Sequence, residues 1–169
     1  MGYWSEHPMG GDYPQDLALD VYYYIIKKEN MTYLDDFFEG IDEQKRREIL
    51  NKYKHELLYN MNDYGFVIPY IFIDYSIRFD DQKDLDKIKD LMNDGGAVDR
   101  GYDEDEFGPH IYAEALKRNV EYIFSSKYTT KEAIKLIPKE DLELLYDKGL
   151  IETIIEDSEN NTKGLINKK

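Results

Sequence analysis

The chain has 169 residues, 41% of them hydrophobic, with 16 Tyr and 7 Phe in the total and a formal charge of −14. That length suffices for one domain with a core of its own, and the aromatic content excludes disorder of the whole chain. The negative balance argues against a general affinity for nucleic acid or anionic membrane, which both need a cationic surface, and favours a basic protein partner.

The chain opens MGYWSEHPMGGDYPQDLALD. No basic region is followed by an apolar run, so no signal peptide is expected. Met1-Gly2 would begin a myristoylation signal, but Glu6 stands where that motif requires Ser or Thr. Gly10-Gly11 marks a turn, Asp12 and Gln15 make a capping-box-like pair, and Pro14 suits a first helical turn. The first helix is therefore expected from Asp12 or Tyr13 to about Asn30, with Leu17, Val21, Tyr24 and Ile25 at helical spacing. Tyr3, Trp4 and Met9 are expected to fold back as a hydrophobic staple.

Asp12, Asp16 and Asp20 recur every four residues on that helix, their face continues to Tyr24, and no Lys or Arg precedes Lys27. Like charges so placed cost roughly 0.2–0.5 kcal/mol per pair, which the positive helix end partly offsets for Asp12 and Asp16. The row has three readings. It is a cap with a solvated face, a partner-facing acidic patch joined by Trp4 and Tyr24, or a carboxylate site for a divalent cation with His7 nearby.

Further along, MTYLDDFFEGI reads as a short helix or turn anchored by Leu34, Phe37 and Phe38. IDEQKRREILNKYKHELLYNM is the clearest helix, with Asp42 as N-cap and a stripe of Ile49, Leu50, Tyr53, Leu57, Leu58 and Met61. FVIPYIFIDYSIRF fits a buried strand by composition, but Pro69 argues against a central strand. A buried helix with Pro69 in its first turn is expected, continued by Ile73, Tyr75, Ile77 and Phe79. The apolar run from Phe66 to Ile73 is far too short to span a bilayer. DQKDLDKIKDLMNDGG reads as an exposed amphipathic helix stopped by Gly95-Gly96.

Residues 97–109 form an acidic loop, in which Asp103, Glu104, Asp105 and Glu106 make a second candidate partner-binding cluster. Asp103, Asp105, Gly108 and Glu114 fall at positions one, three, six and twelve of a calcium loop, with Phe107 and His110 at positions that suit neither ligand nor filler. His7, Asp103, Asp105, His110 and Glu114 are accordingly the weak metal candidates, calcium being the cation considered; otherwise no cofactor is expected. A single helix is expected from His110 to Ser125 with Ile111, Ala115, Leu116, Val120 and Ile123 inward. The remainder gives two or three short helices broken at Pro138 and Gly149, then a tail from Ser158. Their helix-turn-helix cadence does not suit DNA, because Glu140, Asp141 and Glu143 would lead the second helix against phosphates.

General catalytic templates are missing. The chain has no cysteine, so disulfides, thiolate chemistry and Cys-containing zinc sites are excluded. His55 has no second His four residues on, which removes the zinc-protease helix, and its plain reading is a surface histidine. No phosphate-binding glycine loop, nucleophile elbow or kinase signature occurs.

The opening residues Met1, Gly2, Tyr3 and Trp4, then Gly10, Gly11, Asp12, Pro14 and Asp16, resemble the small proteins of phages and some bacteria that begin Met-Gly-aromatic-Trp and run through Gly-Gly-Asp-x-Pro-x-Asp. The similarity covers about the first 20 residues and extends towards the apolar segment from Gly65 to Ile73, a buried helix in that group. The resemblance implies a phage or prophage origin and carries no activity.

A mainly α single-domain helical bundle with a small C-terminal helical appendage is expected: a core over 1–125, a helical hairpin over 126–157 and a tail over 158–169. The leading functional expectation is a cytoplasmic interaction protein that binds a basic host protein, with nucleic-acid-handling or defence factors as targets and carboxylates imitating DNA phosphates. The alternatives are a metal- or carboxylate-dependent enzyme built on the N-terminal His and Asp residues, and an oligomeric assembly protein with self-associating Tyr-rich faces.

Overall fold

The computed structural model of the chain describes residues 12–61, 67–93 and 109–147, and the described residues form nine helices. These are α1 (Asp12–Lys28), α2 (Leu34–Phe38), α3 (Glu43–Asn60), α4 (Val67–Asp74), α5 (Gln82–Asn93), α6 (Pro109–Arg118), α7 (Val120–Phe124), α8 (Thr130–Leu136) and α9 (Lys139–Asp147). The fold is mainly helical, as the apolar spacing predicts.

Local chemistry accounts for where the helices start and stop. α1 closes on Asn30, a left-handed residue at φ 57°. The Asn30 N–H donates to Lys27 O (3.2 Å) and the Met31 N–H to Ile26 O (2.8 Å), the crossed pair of a Schellman cap. Asn tolerates this backbone better than most residues. α2 begins where Asp36 accepts the Thr32 and Tyr33 N–H groups at 3.2 and 2.9 Å. It ends at Gly40, where a Cβ would stand 2.6 Å from the Asp36 carbonyl oxygen. Asp42 caps α3 by accepting the Lys45 N–H at 2.8 Å.

The core is organised around α4, which is buried at every position from Val67 to Ile73 and packs against α1, α3 and α5. Pro69 sits in its first turn, where a missing N–H leaves no hydrogen bond unmade. The helix does not continue through Phe79 as the apolar residues suggest. It stops at Asp74, and Ser76 takes a left-handed backbone at φ 53°. Ile77 and Phe79 then enter the core from non-helical chain. Phe79 makes a lone parallel bridge with Ser125, its N–H donating to Phe124 O at 2.8 Å. Beyond α4, Tyr75, Ile77 and Phe79 alternate with period two, which extended chain satisfies and a helix does not.

Two other expectations change. α5 is less exposed than predicted: Leu85, Ile88, Leu91 and Met92 are buried, and so is Asp84. The single helix expected over 110–125 is two, α6 and α7, divided at Asn119. The Asn119 amide is buried and donates to Ala115 O (2.6 Å) and to the Asp141 carboxylate (2.8 Å). Side-chain bonding of this kind competes with the backbone ladder, and here it breaks the helix. Ile111, in the first turn of α6, is 46% exposed, against the expected inward position. Pro138 separates α8 from α9 as predicted, and Ile137 and Leu145 join the same hydrophobic cluster as α1, α3, α4 and α5. Gly95, Gly96 and Gly149 lie outside the described residues.

Candidate functional site: the outward face of helix α1

An α-helix turns about 100° per residue, so the spacing of α1 sorts its residues cleanly. Pro14, Ala18, Val21, Tyr22 and Ile25 are buried against the core. On the opposite side Leu19, Asp12, Tyr23, Asp16, Lys27 and Asp20 fall within an arc of roughly 100°, and all six are exposed. Asp16 and Asp20 make no hydrogen bond or ion pair with another described residue. Leu19, 40% exposed, lies at one edge of the arc and Tyr23, 54% exposed, lies between Asp12 and Asp16, while Lys27 lies between Asp16 and Asp20. Two large apolar side chains one turn apart beside a row of carboxylates are what the sequence reading missed. Its signal was present, because Leu19 and Tyr23 repeat at the same four-residue step as the aspartates.

Tyr24 is not on this face. It lies at the flank, and its hydroxyl donates to Glu56 Oε1 of α3 at 2.5 Å, while Lys28 Nζ stands 3.3 Å from the same oxygen. The bond from Tyr24 is the chief reason the Glu56 carboxyl is held below the usual carboxylate range. A parallel link on α3 uses Tyr53 and Lys52, which both donate to Glu29 and lower its pKa in the same way.

Carboxylates away from α1 are commonly occupied. Glu43 pairs with Arg46 and Arg47, Glu48 with Lys45, Glu121 with Lys89, Glu114 with Lys117 and Glu143 with Lys139. Asp36, Asp42 and Glu132 cap helix starts. The negative charge is therefore not uniform in character: much of it balances or caps, while Asp16 and Asp20 on α1, like Asp35, Glu39, Asp90 and Glu140 elsewhere, face solvent.

Two carboxylates go further inward. Asp84, at the start of α5, accepts the Tyr59 hydroxyl at 2.6 Å and bonds His55 Nε2 at 2.9 Å, both from α3. Burial pushes its carboxyl up, but these two bonds outweigh burial and hold it below the usual range. The Tyr59 hydroxyl is pushed up to about 12 by burial and by the carboxylate beside it. His55 is thus a surface histidine with an assigned task, since it stands over Phe79 edge-to-face and helps clasp α5 to α3. Asp84 stands one turn before Ile88, but that spacing gives no sign of the α3 partners that let a carboxylate turn inward there. The second inward carboxylate, Asp141, takes a forked pair of bonds from Arg118 (2.7 and 3.2 Å) and one from Asn119, tying α9 to the α6–α7 junction. Arg118 lowers its pKa most.

A cavity of about 10 Å³, room for one water, lies between the chain after α4 and α7, lined in part by Ser76, Arg78 and Thr130. Arg78 donates there to the carbonyls of Ser125 and Tyr128, and its buried Nε has no partner among the described residues.

No three His, Asp or Glu side chains converge as a metal-holding group among the described residues. Glu114, one of the metal candidates, faces Lys117 Nζ at 3.6 Å. Trp4, His7, Asp103, Glu104, Asp105 and Glu106 lie outside the described residues, as does the side chain of His110, so the calcium-loop and staple expectations fall there too. None of the described helices is long and apolar enough to cross a membrane. Comparisons with known protein families, with curated proteins and with solved structures find no match to this chain.

Proposed function

We propose that the chain is an interaction protein that binds a basic partner protein through the outward face of α1. One observation carries the reading: Asp16 and Asp20, without a counter-ion among the described residues, share that face with exposed Leu19 and Tyr23. Solvent-facing carboxylates steer a cationic partner and set its orientation. Apolar area beside them supplies binding energy that charge in water does not. The resemblance of the opening residues to a phage-borne group makes a host protein in the cytoplasm the natural target, with nucleic-acid-handling and defence factors foremost, since they carry cationic grooves.

The test compares the full chain with its Asp16→Asn/Asp20→Asn variant as bait in host lysate at low salt and at about 0.5 M salt, where the screening length is only a few ångström. A basic protein retained by the wild type at low salt, released at high salt and lost with the variant is the expected outcome. Identical recovery by both baits overturns the reading.

A further inference from the structure

The α1 face distinguishes between two kinds of basic partner, and we propose that it takes an amphipathic basic helical segment, with apolar side chains seated on Leu19 and Tyr23, rather than a groove shaped for a nucleic-acid backbone. This inference rests on the basic-partner reading above and specifies the chemistry of that partner.

Charge density is the first argument. Four residues of α-helix advance about 6 Å, so the Asp12, Asp16, Asp20 row offers one charge in that length. Double-stranded DNA offers one per about 1.7 Å of axis. A groove built for the duplex would therefore find the row too sparse by a factor of roughly three. A helical peptide with basic residues one turn apart has the same spacing as the row itself.

The second argument is the position of the apolar pair. Leu19 stands about 60° round the helix from Asp16, and Tyr23 about 20° from Asp16 and about 60° from Asp20, so a helical partner laid along Asp16 and Asp20 also meets these exposed side chains. A partner whose surface there is only charged and hydrated would leave the apolar area of both side chains covered yet unmatched. An amphipathic segment instead meets them with its own residues at three- and four-residue spacing, the arrangement of helix recognition by i, i+4 anchors. Tyr is a preferred anchor because it brings a large rigid area at little entropic cost. A second copy of this chain is disfavoured as the occupant, since two such faces would set aspartate rows against each other.

The experiment titrates the full chain with two synthetic peptides of equal positive charge. One is an amphipathic helix with lysines around leucines at three- and four-residue spacing; in the other each leucine is replaced by serine. The first is expected to bind at least about tenfold more tightly. The Leu19→Ser/Tyr23→Ser variant, changed only at exposed positions and checked for unaltered helicity, is expected to lose that advantage. Asp16→Asn/Asp20→Asn is expected to weaken both peptides and to reduce their salt dependence. Equal affinity for the two peptides, with the aspartate variant still weaker for both, overturns the apolar anchor and leaves the basic-partner reading standing. Affinities indifferent to the aspartate variant, or no binding by either peptide, overturn both.

Discussion

Ser76 holds a backbone that its side chain makes costly. Its φ of 53° closes α4, with its N–H on Ile73 O and the Ile77 N–H on Phe72 O. The left-handed region costs an L-residue with a Cβ roughly 1–2 kcal/mol, part of which glycine returns as extra freedom in the unfolded chain. Ser76→Gly is therefore expected to stabilise the protein by about 0.5–1 kcal/mol, read as a higher denaturant midpoint at unchanged slope. A lower midpoint would mean that the side chain of Ser76, a residue that lines the small cavity with Arg78, contributes more than the strain removes. Single residues were legible in the sequence where their partner lies within a turn. Asp42 as a cap is one case, since its acceptor role needs only the Lys45 N–H three residues on. Asp84 was not legible, because the hydroxyl and imidazole that hold it come from α3, 25 and 29 residues earlier.

The junction of α2 and α3 depends on one arginine. Arg46 Nη1 donates to Phe37 O (3.3 Å), Phe38 O (2.9 Å) and Ile41 O (2.5 Å), gathering the end of a five-residue helix that could not persist alone. Phe37 and Phe38, which this junction positions, pack their rings on Tyr22 of α1 at centroid distances of 5.7 and 4.8 Å. Arg46→Met keeps the stem and removes the donors, leaving partly buried carbonyls unmatched. A loss of about 1–3 kcal/mol is expected, with faster amide exchange over residues 37–40. Arg46→Lys should recover only part, since an ammonium cannot reproduce the planar array of donors. Protection in the variant equal to the wild type would show that α2 is held by its aromatic contacts alone. The run Gln44-Lys45-Arg46-Arg47 gave no sign of which cation turns inward.

Across the molecule, the inward carboxylates are expected to set the acid limit of stability. Asp84 and Asp141 have side chains 8% and 9% exposed, and both are held below the ordinary carboxylate range, by Tyr59 and His55 in one case and by Arg118 and Asn119 in the other. A carboxyl whose folded pKa is depressed contributes stability that is complete above its unfolded value, about 4, and is lost as pH falls through the folded value. The thermal midpoint should therefore stay nearly level from about pH 7 to 5 and fall below about pH 4. The Asp84→Asn/Asp141→Asn variant should melt lower at neutral pH and lose less on acidification. An undiminished acid loss in that variant would place the sensitivity elsewhere, Glu29 and Glu56 being next in line.

The helical class, the cap at Asp42, the first-turn place of Pro69, the break at Pro138 and the exposure of the Asp12, Asp16 and Asp20 row follow from the sequence by itself. Each depends on residues within about one or two turns, where the period of the helix and the chemistry of the first turn decide the outcome. Tertiary structure alone decided that Tyr24 belongs to Glu56 and not to the outward face, that Asp84 and Asp141 go inward, that Asn119 divides one helix into two, and that Leu19 and Tyr23 stay uncovered by the described residues. The reason is that a polar side chain is buried only where a distant partner meets it, and an apolar one is exposed only where no other helix arrives. Both conditions depend on how α1, α3, α5 and α9 pack, which no local spacing specifies.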